Sequence, residues 1–265
     1  MYSIVNFINA TGAKVIAWFN TMYEIMELGY DTVSGLFMRS GRRRLSLMQL
    51  VNQILFTGVD ALVIVGIIAL SCGVTITIQA ITNMPKIGIG EYFGTIMVIT
   101  VIRELGPFFT SIVVIGRSGA ALAAYIGNMH VSKEIAALDA MGVNKVYFLV
   151  IPAFIGMSVS LICLSVYFDI IAIVGGLLAA KAIVAEVPFG IFIAEILHAI
   201  TWKDIFVSVL KCSLFGSIIA IVSCYHGMVV DNVRIVPRAV FKAVVGSIVV
   251  TILSNVIITI GFYAL

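Results

Sequence analysis

Long apolar stretches, separated by short polar ones, run through most of the chain. Five of them are long enough to cross a bilayer as helices, at about 51–81, 92–116, 146–180, 204–226 and 243–263. A helix of about 20 apolar residues spans the hydrocarbon core of a membrane. Apolar and polar residues do not alternate in these stretches, as they do in the strands of a transmembrane barrel. The pattern therefore predicts an all-α integral membrane protein with five transmembrane spans.

The first 45 residues have a different pattern. Apolar residues such as Phe7, Val15, Phe19 and Met22 recur at helical spacing, with polar residues between them. This favours an amphipathic helix that lies on the membrane surface, and a further transmembrane span is the alternative. We expect the segment 29–35, which has a glycine at each end, to break this helix. A basic elbow follows, formed by Arg39, Arg42, Arg43 and Arg44.

Composition supports a membrane protein, and the distribution of charge predicts its orientation in the membrane. Of the 265 residues, 62% are hydrophobic and only 11% are charged, whereas soluble domains carry about 25% charged residues. The basic residues of the N-terminal segment and of the predicted loops 117–145 and 227–242 all fall on one side of the membrane. Since cytoplasmic loops are rich in lysine and arginine, we expect a cytoplasmic N-terminus and an outer C-terminus. Topology thus explains these charges, and nucleic acid is not an expected partner.

The sequence offers no strong enzymatic or metal-binding motif. The four cysteines are far apart and three of them lie in apolar runs, so neither a disulfide framework nor a metal site is expected. The phosphate-loop motif G-x-x-x-x-G-K-[ST] is absent. Any ATP chemistry must therefore come from another polypeptide. We expect one domain over 1–265, with the interfacial helix and elbow in 1–45 and the spans in 51–263.

Two adjacent ionisable residues, Arg103 and Glu104, lie midway along the second predicted span. A charge there costs about 2.5–3.5 kcal/mol on insertion scales, so each residue needs a partner. Sequence neighbours point about 100° apart on a helix and do not pair with each other. Asp204 and Lys211 of the fourth span are seven residues apart and share one face. We therefore predict a polar cluster of these four residues beneath the outer surface, which either fixes helix packing or steers an anionic headgroup or an outer partner.

The predicted loop 117–145 contains a short helical pattern that begins at Glu134. Its apolar face is formed by Ile135, Leu138 and either Met141 or Val143. Gly142 is expected to end the helix, because glycine favours the position after a helix C-terminus. The segment is either an interfacial helix or a coupling helix that fits a groove on a cytoplasmic ATPase.

Three motifs resemble a known family. They are Arg103-Glu104-Leu105-Gly106-Pro107, Gly116-Arg117-Ser118-Gly119-Ala120, and the segment from Glu134 to Gly142 with Ile151-Pro152 after it. The last resembles the coupling loop of ABC-transporter permeases. Their order and spacing together resemble the MlaE family of lipid-transport permeases, and the resemblance covers nearly the whole chain.

The resemblance implies a set of partners. MlaE-type permeases form homodimers in the inner membrane, with two ATPase subunits below, which bind ATP and Mg²⁺, and often a small STAS-domain protein. A hexameric MCE-domain protein sits above. Phospholipid passes between an outward pocket of the dimer and the tunnel of the MCE ring, so this chain is expected to have no cofactor and no catalytic residue of its own.

The resemblance also implies site residues. The polar side of the lipid pocket corresponds to Arg103, Glu104, Asp204 and Lys211. The apolar side corresponds to Ile76, Ile78, Met84 and Ile87. Contact with the ATPase corresponds to Arg117, Glu134, Leu138, Asp139 and Gly142. Some members of the family carry an aromatic residue near the position of Ile87, and this chain does not.

Two other functions are weighed against the permease. A rhomboid-like intramembrane serine protease would use Ser118 in the sequence Gly-Arg-Ser-Gly, with His226 as its base. An ion-coupled carrier or channel would use Asp60 together with Arg103, Glu104 and Lys211. The carrier predicts uptake or current by the purified chain alone, whereas a permease needs an ATPase.

Overall fold

The computed structural model describes residues 2–37, 47–87, 96–183, 194 and 196–263. Five of its helices are long and apolar enough to cross a membrane. They are span 1 (Met48–Asn83), span 2 (Val98–Val131), span 3 (Val146–Ile183), span 4 (Trp202–Met228) and span 5 (Val233–Tyr263). The described residues contain no β-strand. The predicted all-α membrane architecture with five spans is therefore confirmed.

The helices are longer than their apolar stretches. The helix of span 1 continues to Ile87, into the connection 82–91 that the sequence predicts between the first two spans. Span 2 continues through Gly116–Gly119 to Val131, so the prediction that the chain leaves the helix at this motif is wrong. Span 5 begins inside the predicted turn 227–242. Hydropathy marks where apolar residues stop, whereas a helix continues while its backbone hydrogen bonds can form, as the alanine-rich segment after Gly119 favours.

The N-terminal helix runs unbroken from Tyr2 to Phe37, so the predicted break between Gly29 and Gly35 is wrong. Both glycines instead lie within the helix and face the spans. The hydroxyl of Tyr147 donates to the carbonyl of Gly35 at 2.6 Å, and a Cβ on Gly29 would lie 3.5 Å from Ile221. The four arginines of the predicted elbow lie outside the described residues.

One face of the N-terminal helix is apolar and exposed. It carries Ile16, Phe19, Tyr23, Met26, Tyr30 and Val33, at alternating spacings of three and four residues. The opposite face holds the buried Thr32 and a contact in which Tyr225 of span 4 donates to Glu24. This two-sided character agrees with the predicted amphipathic pattern. Its position in the membrane interface stays a prediction.

Three spans depart from regular α-helix. Span 1 contains a 3₁₀ turn at Val59–Ala61. Span 2 contains two π-helical segments, Val98–Leu105 and Ile115–Gly119. Span 3 begins with a third, Val146–Val150. Such segments are frequent at functional sites and hinges, and those of span 2 contain Arg103, Glu104 and Arg117.

Span 3 lies at the centre of the bundle, against spans 1, 2 and 4. Small residues allow the backbones to approach, as is common between membrane helices. A Cβ on Gly73 of span 1 would lie 2.0 Å from the carbonyl oxygen of Ala172. A Cβ on Gly216 of span 4 would lie 2.5 Å from the Cα of Ser158. These contacts hold spans 1 and 4 close to span 3 at two different depths of the bundle.

Replacing Gly73 with alanine should destabilise the protein. The new methyl group would meet backbone atoms of span 3 that cannot move independently, and overpacking of this kind costs about 1–3 kcal/mol. The thermal unfolding temperature in detergent should fall.

Gly116→Ala provides a matched control, because a Cβ there meets no atom within 4 Å and alanine favours helix by about 1 kcal/mol over glycine. Equal unfolding temperatures for the two variants would contradict the packing of spans 1 and 3.

Candidate functional site

The four predicted charged residues lie together as two ion pairs between spans 2 and 4. Arg103 Nε lies 2.6 Å from Asp204 Oδ1, and Lys211 Nζ lies 2.8 Å from Glu104 Oε1. The side chains of Asp204 and Lys211 are fully enclosed, whereas those of Arg103 and Glu104 are 21% and 32% exposed. Adjacent residues of span 2 thus take different partners two turns apart on span 4.

Asp204 is positioned by the start of span 4. Thr201, which precedes the helix, donates to Asp204 Oδ2 from its backbone N–H at 3.0 Å and from its hydroxyl at 2.7 Å. Tyr263 of span 5 donates to Oδ1 at 3.0 Å. The carboxylate is therefore anchored by its own helix terminus and presents Oδ1 to Arg103.

Lys211 uses all three of its donors, although no solvent reaches it. Its ammonium donates to Glu104 Oε1 at 2.8 Å, to the hydroxyl of Thr259 at 2.8 Å and to the backbone carbonyl of Arg103 at 3.1 Å. Pro107, four residues after Arg103, has no N–H with which to satisfy that carbonyl in an α-helix. A side chain of span 4 thus supplies a donor where the backbone of span 2 lacks one.

The junction of the π-helical and α-helical segments of span 2 lies next to these ion pairs. Gly106 follows the π-helical segment Val98–Leu105 directly. A Cβ at this position would lie 2.4 Å from Oδ1 of Asp169 in span 3. A side chain at position 106 would force the carboxyl group of Asp169 to move, because that group packs against the Gly106 backbone.

Span 5 completes the network, and its contribution was not predicted from the sequence. Asn255 donates to Glu104 Oε2 at 3.0 Å and Thr259 donates to Oε1 at 2.9 Å. The guanidinium carbon of Arg103 lies 4.4 Å from the centre of the Tyr263 ring. Asn255, Thr259 and Tyr263 are spaced four residues apart in an apolar run, so they share a face. That spacing is the signal that could have identified them.

The network contains two positive and two negative charges, so its formal charge is zero. Burying such charges costs free energy that close pairing must offset, and loss of one partner leaves an uncompensated charge. Arg103 and Glu104 are the members that a ligand can reach. The arrangement can therefore bind a group that carries both a positive and a negative charge.

Arg117 lies in a different environment from the one predicted. It is inside the helix of span 2, not in a loop, and its guanidinium donates to Asp60 at 2.7 Å and to the carbonyl of Phe56 at 2.9 Å. It lies fourteen residues after Arg103, or about 21 Å along a helix. Arg117 and Asp60 thus form a separate ion pair that joins the irregular segments of spans 1 and 2.

The helix in the connection between spans 2 and 3, here called the loop helix, runs from Glu134 to Ala140. Gly142 has a φ of 71° and its N–H bonds to the carbonyl of Asp139, while Val143 N–H bonds to that of Leu138. This is the Schellman arrangement that ends helices at glycine, so the predicted end of the helix at Gly142 is confirmed, and its contact with an ATPase stays a prediction.

Burial separates the faces of the loop helix. Ile135 is 4% exposed and Leu138 packs against the core. Of the two alternatives for the third apolar position, Met141 is 66% exposed and Val143 is half-buried. Glu134 and Asp139 are exposed. The loop helix therefore packs on the ends of the spans by one side and presents charges on the other.

The predicted apolar wall does not form one surface in a single chain. Ile76 packs against the core, whereas Ile78 is 38% exposed, as expected for residues two positions apart on a helix. The side chains of Met84 and Ile87 lie outside the described residues. A shared role of these residues in lipid contact stays a prediction.

The observed contacts do not support the two alternative functions. Ser118 is buried within the helix of span 2, and no hydrogen bond among the described residues joins its hydroxyl to another group. Asp60 pairs with Arg117, far from the network around Lys211. Among the described residues no group of three or more histidines, cysteines or carboxylates could hold a metal ion.

Similarity to known proteins covers most of the chain. The model of the family described as "Permease MlaE" matches residues 50–260. A probable ABC transporter permease protein of Rickettsia felis is 28% identical over 98% of this chain and 99% of its own. One from Rickettsia prowazekii is 30% identical over 83% and 85%. The intermembrane phospholipid transport system permease protein MlaE of Haemophilus influenzae is 27% identical over 84% of both chains.

Removing one partner of a buried ion pair should lower the free energy of unfolding more than removing both partners. Lys211→Met leaves the Glu104 carboxylate without its cation, and breaking a buried pair in this way costs about 3–5 kcal/mol. The double variant Lys211→Met with Glu104→Gln should recover part of that loss. Unfolding free energies in detergent give the coupling between the two residues.

Arg117→Met is the matched control, because its ion pair with Asp60 is half-exposed and such pairs contribute about 0–1 kcal/mol. Strictly additive effects at Lys211 and Glu104 would show that the two side chains do not interact.

Proposed function

The chain belongs to the MlaE permease family, and on that premise we propose that it moves phospholipid between the inner membrane and an MCE-protein conduit. It is an ABC transporter permease, a class of subunit that works with a separate ATPase. The name of the Haemophilus relative, which specifies intermembrane phospholipid transport, supports the proposed cargo. The observation that carries the proposal is the neutral ionic network with one reachable cation and one reachable anion.

The proposed assembly has two copies of this chain in the inner membrane. ATPase subunits that bind ATP and Mg²⁺ lie on the cytoplasmic side, with or without a STAS-domain protein, and a hexameric MCE-domain protein lies outside. The N-terminus is cytoplasmic and the C-terminus is periplasmic. The distribution of lysine and arginine along the sequence supports this orientation.

The headgroup of the phospholipid binds to Arg103 and Glu104. Its phosphate pairs with the guanidinium, and the amine of a zwitterionic headgroup pairs with the carboxylate. Asp204 and Lys211 are enclosed and hold these two side chains in place when no lipid is bound. The headgroup therefore adds to these ion pairs without replacing them, because displacement of Arg103 or Glu104 would leave the enclosed Asp204 or Lys211 without a counter-ion.

Apolar contact alone does not release the cargo. The acyl chains contribute about 0.8 kcal/mol for each buried CH2 group, so extraction of a whole lipid needs an apolar path and an energy source. We assign the path to Ile76, Ile78, Met84 and Ile87. The ATPase supplies the energy through Glu134, Leu138, Asp139 and Gly142, and Arg117 holds spans 1 and 2 together between the two ends.

Span 2 connects the network with the loop helix. Its helix extends from Arg103 to Val131, about 42 Å at 1.5 Å per residue. The π-helical segments at its two charged positions are the points where its backbone can change register. Movement of the loop helix therefore narrows the lipid site through one continuous element.

Arg103→Gln should reduce lipid transfer by tenfold or more. The complex should still assemble, because Asp204 keeps its hydrogen bonds from Thr201 and Tyr263. The variant removes the reachable cation, and charge-assisted pairs with phosphate are about twice as strong as neutral hydrogen bonds. The measurement is transfer of fluorescent phospholipid by the complex purified from its own host and placed in liposomes, with ATPase content determined on the same sample.

Arg234→Gln is the matched control, because Arg234 is exposed near the start of span 5, far from the network. Wild-type transfer by the Arg103 variant would contradict headgroup binding at this site. Transfer by the purified chain without any ATPase would favour a carrier instead.

A further inference from the structure

A cavity of about 150 Å³ lies behind the loop helix. Its walls come from three different parts of the chain. They are the end of span 2 (His130), the loop helix and the residue before it (Lys133, Ile135, Asp139), and the adjoining ends of spans 3 and 4 (Lys145, Met228). A water molecule needs only about 10–15 Å³ of such volume, so the cavity has room for a side chain.

The cavity carries an excess of positive charge. Lys133 and Lys145 both line it, with Asp139 as the acidic member of the lining. None of the ion pairs among the described residues involves any of these three side chains. Lys133 also has a φ of 62°, a backbone conformation that is uncommon outside glycine and is often found at functional sites. The two ammonium groups are therefore available to an anion.

The walls of the cavity are held by defined contacts. His130 donates from Nδ1 to the carbonyl of Val230 at 2.7 Å, which ties the end of span 2 to the segment after span 4. Ile135 belongs to the main hydrophobic core. A group that enters this space contacts three spans at once, so its insertion or withdrawal can displace all of them.

The position of the cavity argues against a lipid as the occupant. His130 lies thirteen residues beyond Arg117, or about 20 Å further along span 2. The cavity thus lies about 40 Å along span 2 from Arg103, roughly twice the half-thickness of a bilayer with its headgroups. Four of its seven lining residues are charged or polar, which does not suit acyl chains, and it lies on the side where the proposed function places the ATPase.

We propose that this cavity receives a carboxylate side chain of the ATPase subunit, which pairs with Lys133 and Lys145. A carboxylate complements the two lysines in charge and fits the available volume. The inference rests on the proposed function, since it requires an ATPase at this surface. It adds that the contact includes an open anion socket beside the loop helix, between the exposed Lys133 and Lys145, and not only the outer face of that helix.

Zero-length cross-linking tests the contact directly. A water-soluble carbodiimide joins an amine to a carboxylate only when the two touch. Applied to the complex purified from its own host, it should link Lys133 or Lys145 to an aspartate or glutamate of the ATPase. The double variant Lys133→Glu with Lys145→Glu should lose the link and retain roughly tenfold less ATPase after washing, because close interfacial charge pairs contribute strongly to affinity.

The double variant Arg234→Glu with Arg238→Glu is the matched control, since it makes the same charge change at exposed residues outside the cavity. Equal retention of ATPase by both double variants, or links from these lysines only to Asp139, would contradict the proposed anion socket. Neither result would contradict the proposed permease function. Protection of the lysines of the isolated chain by inorganic phosphate, with no link to the ATPase, would also contradict the anion socket. A wild-type complex that contains no ATPase would instead contradict the proposed function.

Discussion

The pairing of Arg103 and Glu104 with Asp204 and Lys211 is the constraint on which the rest of the structure depends. Four charges inside an apolar bundle are tolerated only because each has a close partner of opposite sign. Glu104, Asp204 and Lys211 also make further hydrogen bonds, and Arg103 packs over the Tyr263 ring. Lys211 is the clearest example, because its fully buried ammonium group has an acceptor for each of its three donors. The pairing fixes the relative position of spans 2, 4 and 5.

The same pairing leaves one side of the network open. Its enclosed members are bound by the start of span 4 and by span 5, and its exposed members lie on span 2 beside a π-helical segment. A rigid half next to a deformable half would suit the proposed binding and release of a headgroup. Gly106, which contacts Asp169, and Pro107, which lacks an N–H, directly follow this π-helical segment. The irregular part of the backbone therefore lies next to the network.

Part of the site could be predicted because helical geometry is regular. Spacing alone placed Asp204 and Lys211 on one face and gave Arg103 and Glu104 separate partners. Span 5 was missed because Asn255, Thr259 and Tyr263 are single polar residues in an apolar run, which membrane helices often contain. The location of Arg117 was missed because its partner Asp60 is 57 residues away and its helix does not end where hydropathy falls. The π-helical segments depend on backbone register, which residue type does not specify.

The central claim is that the exposed members of the network hold a phospholipid headgroup between two copies of the chain. Cryo-electron microscopy of the complex, purified from its own host in lipid nanodiscs, tests this most directly. The account predicts lipid density whose phosphate lies within hydrogen-bonding distance of Arg103 and whose headgroup contacts Glu104. A map in which both ion pairs are sealed by packed side chains, with no lipid-sized chamber beside them, would contradict it.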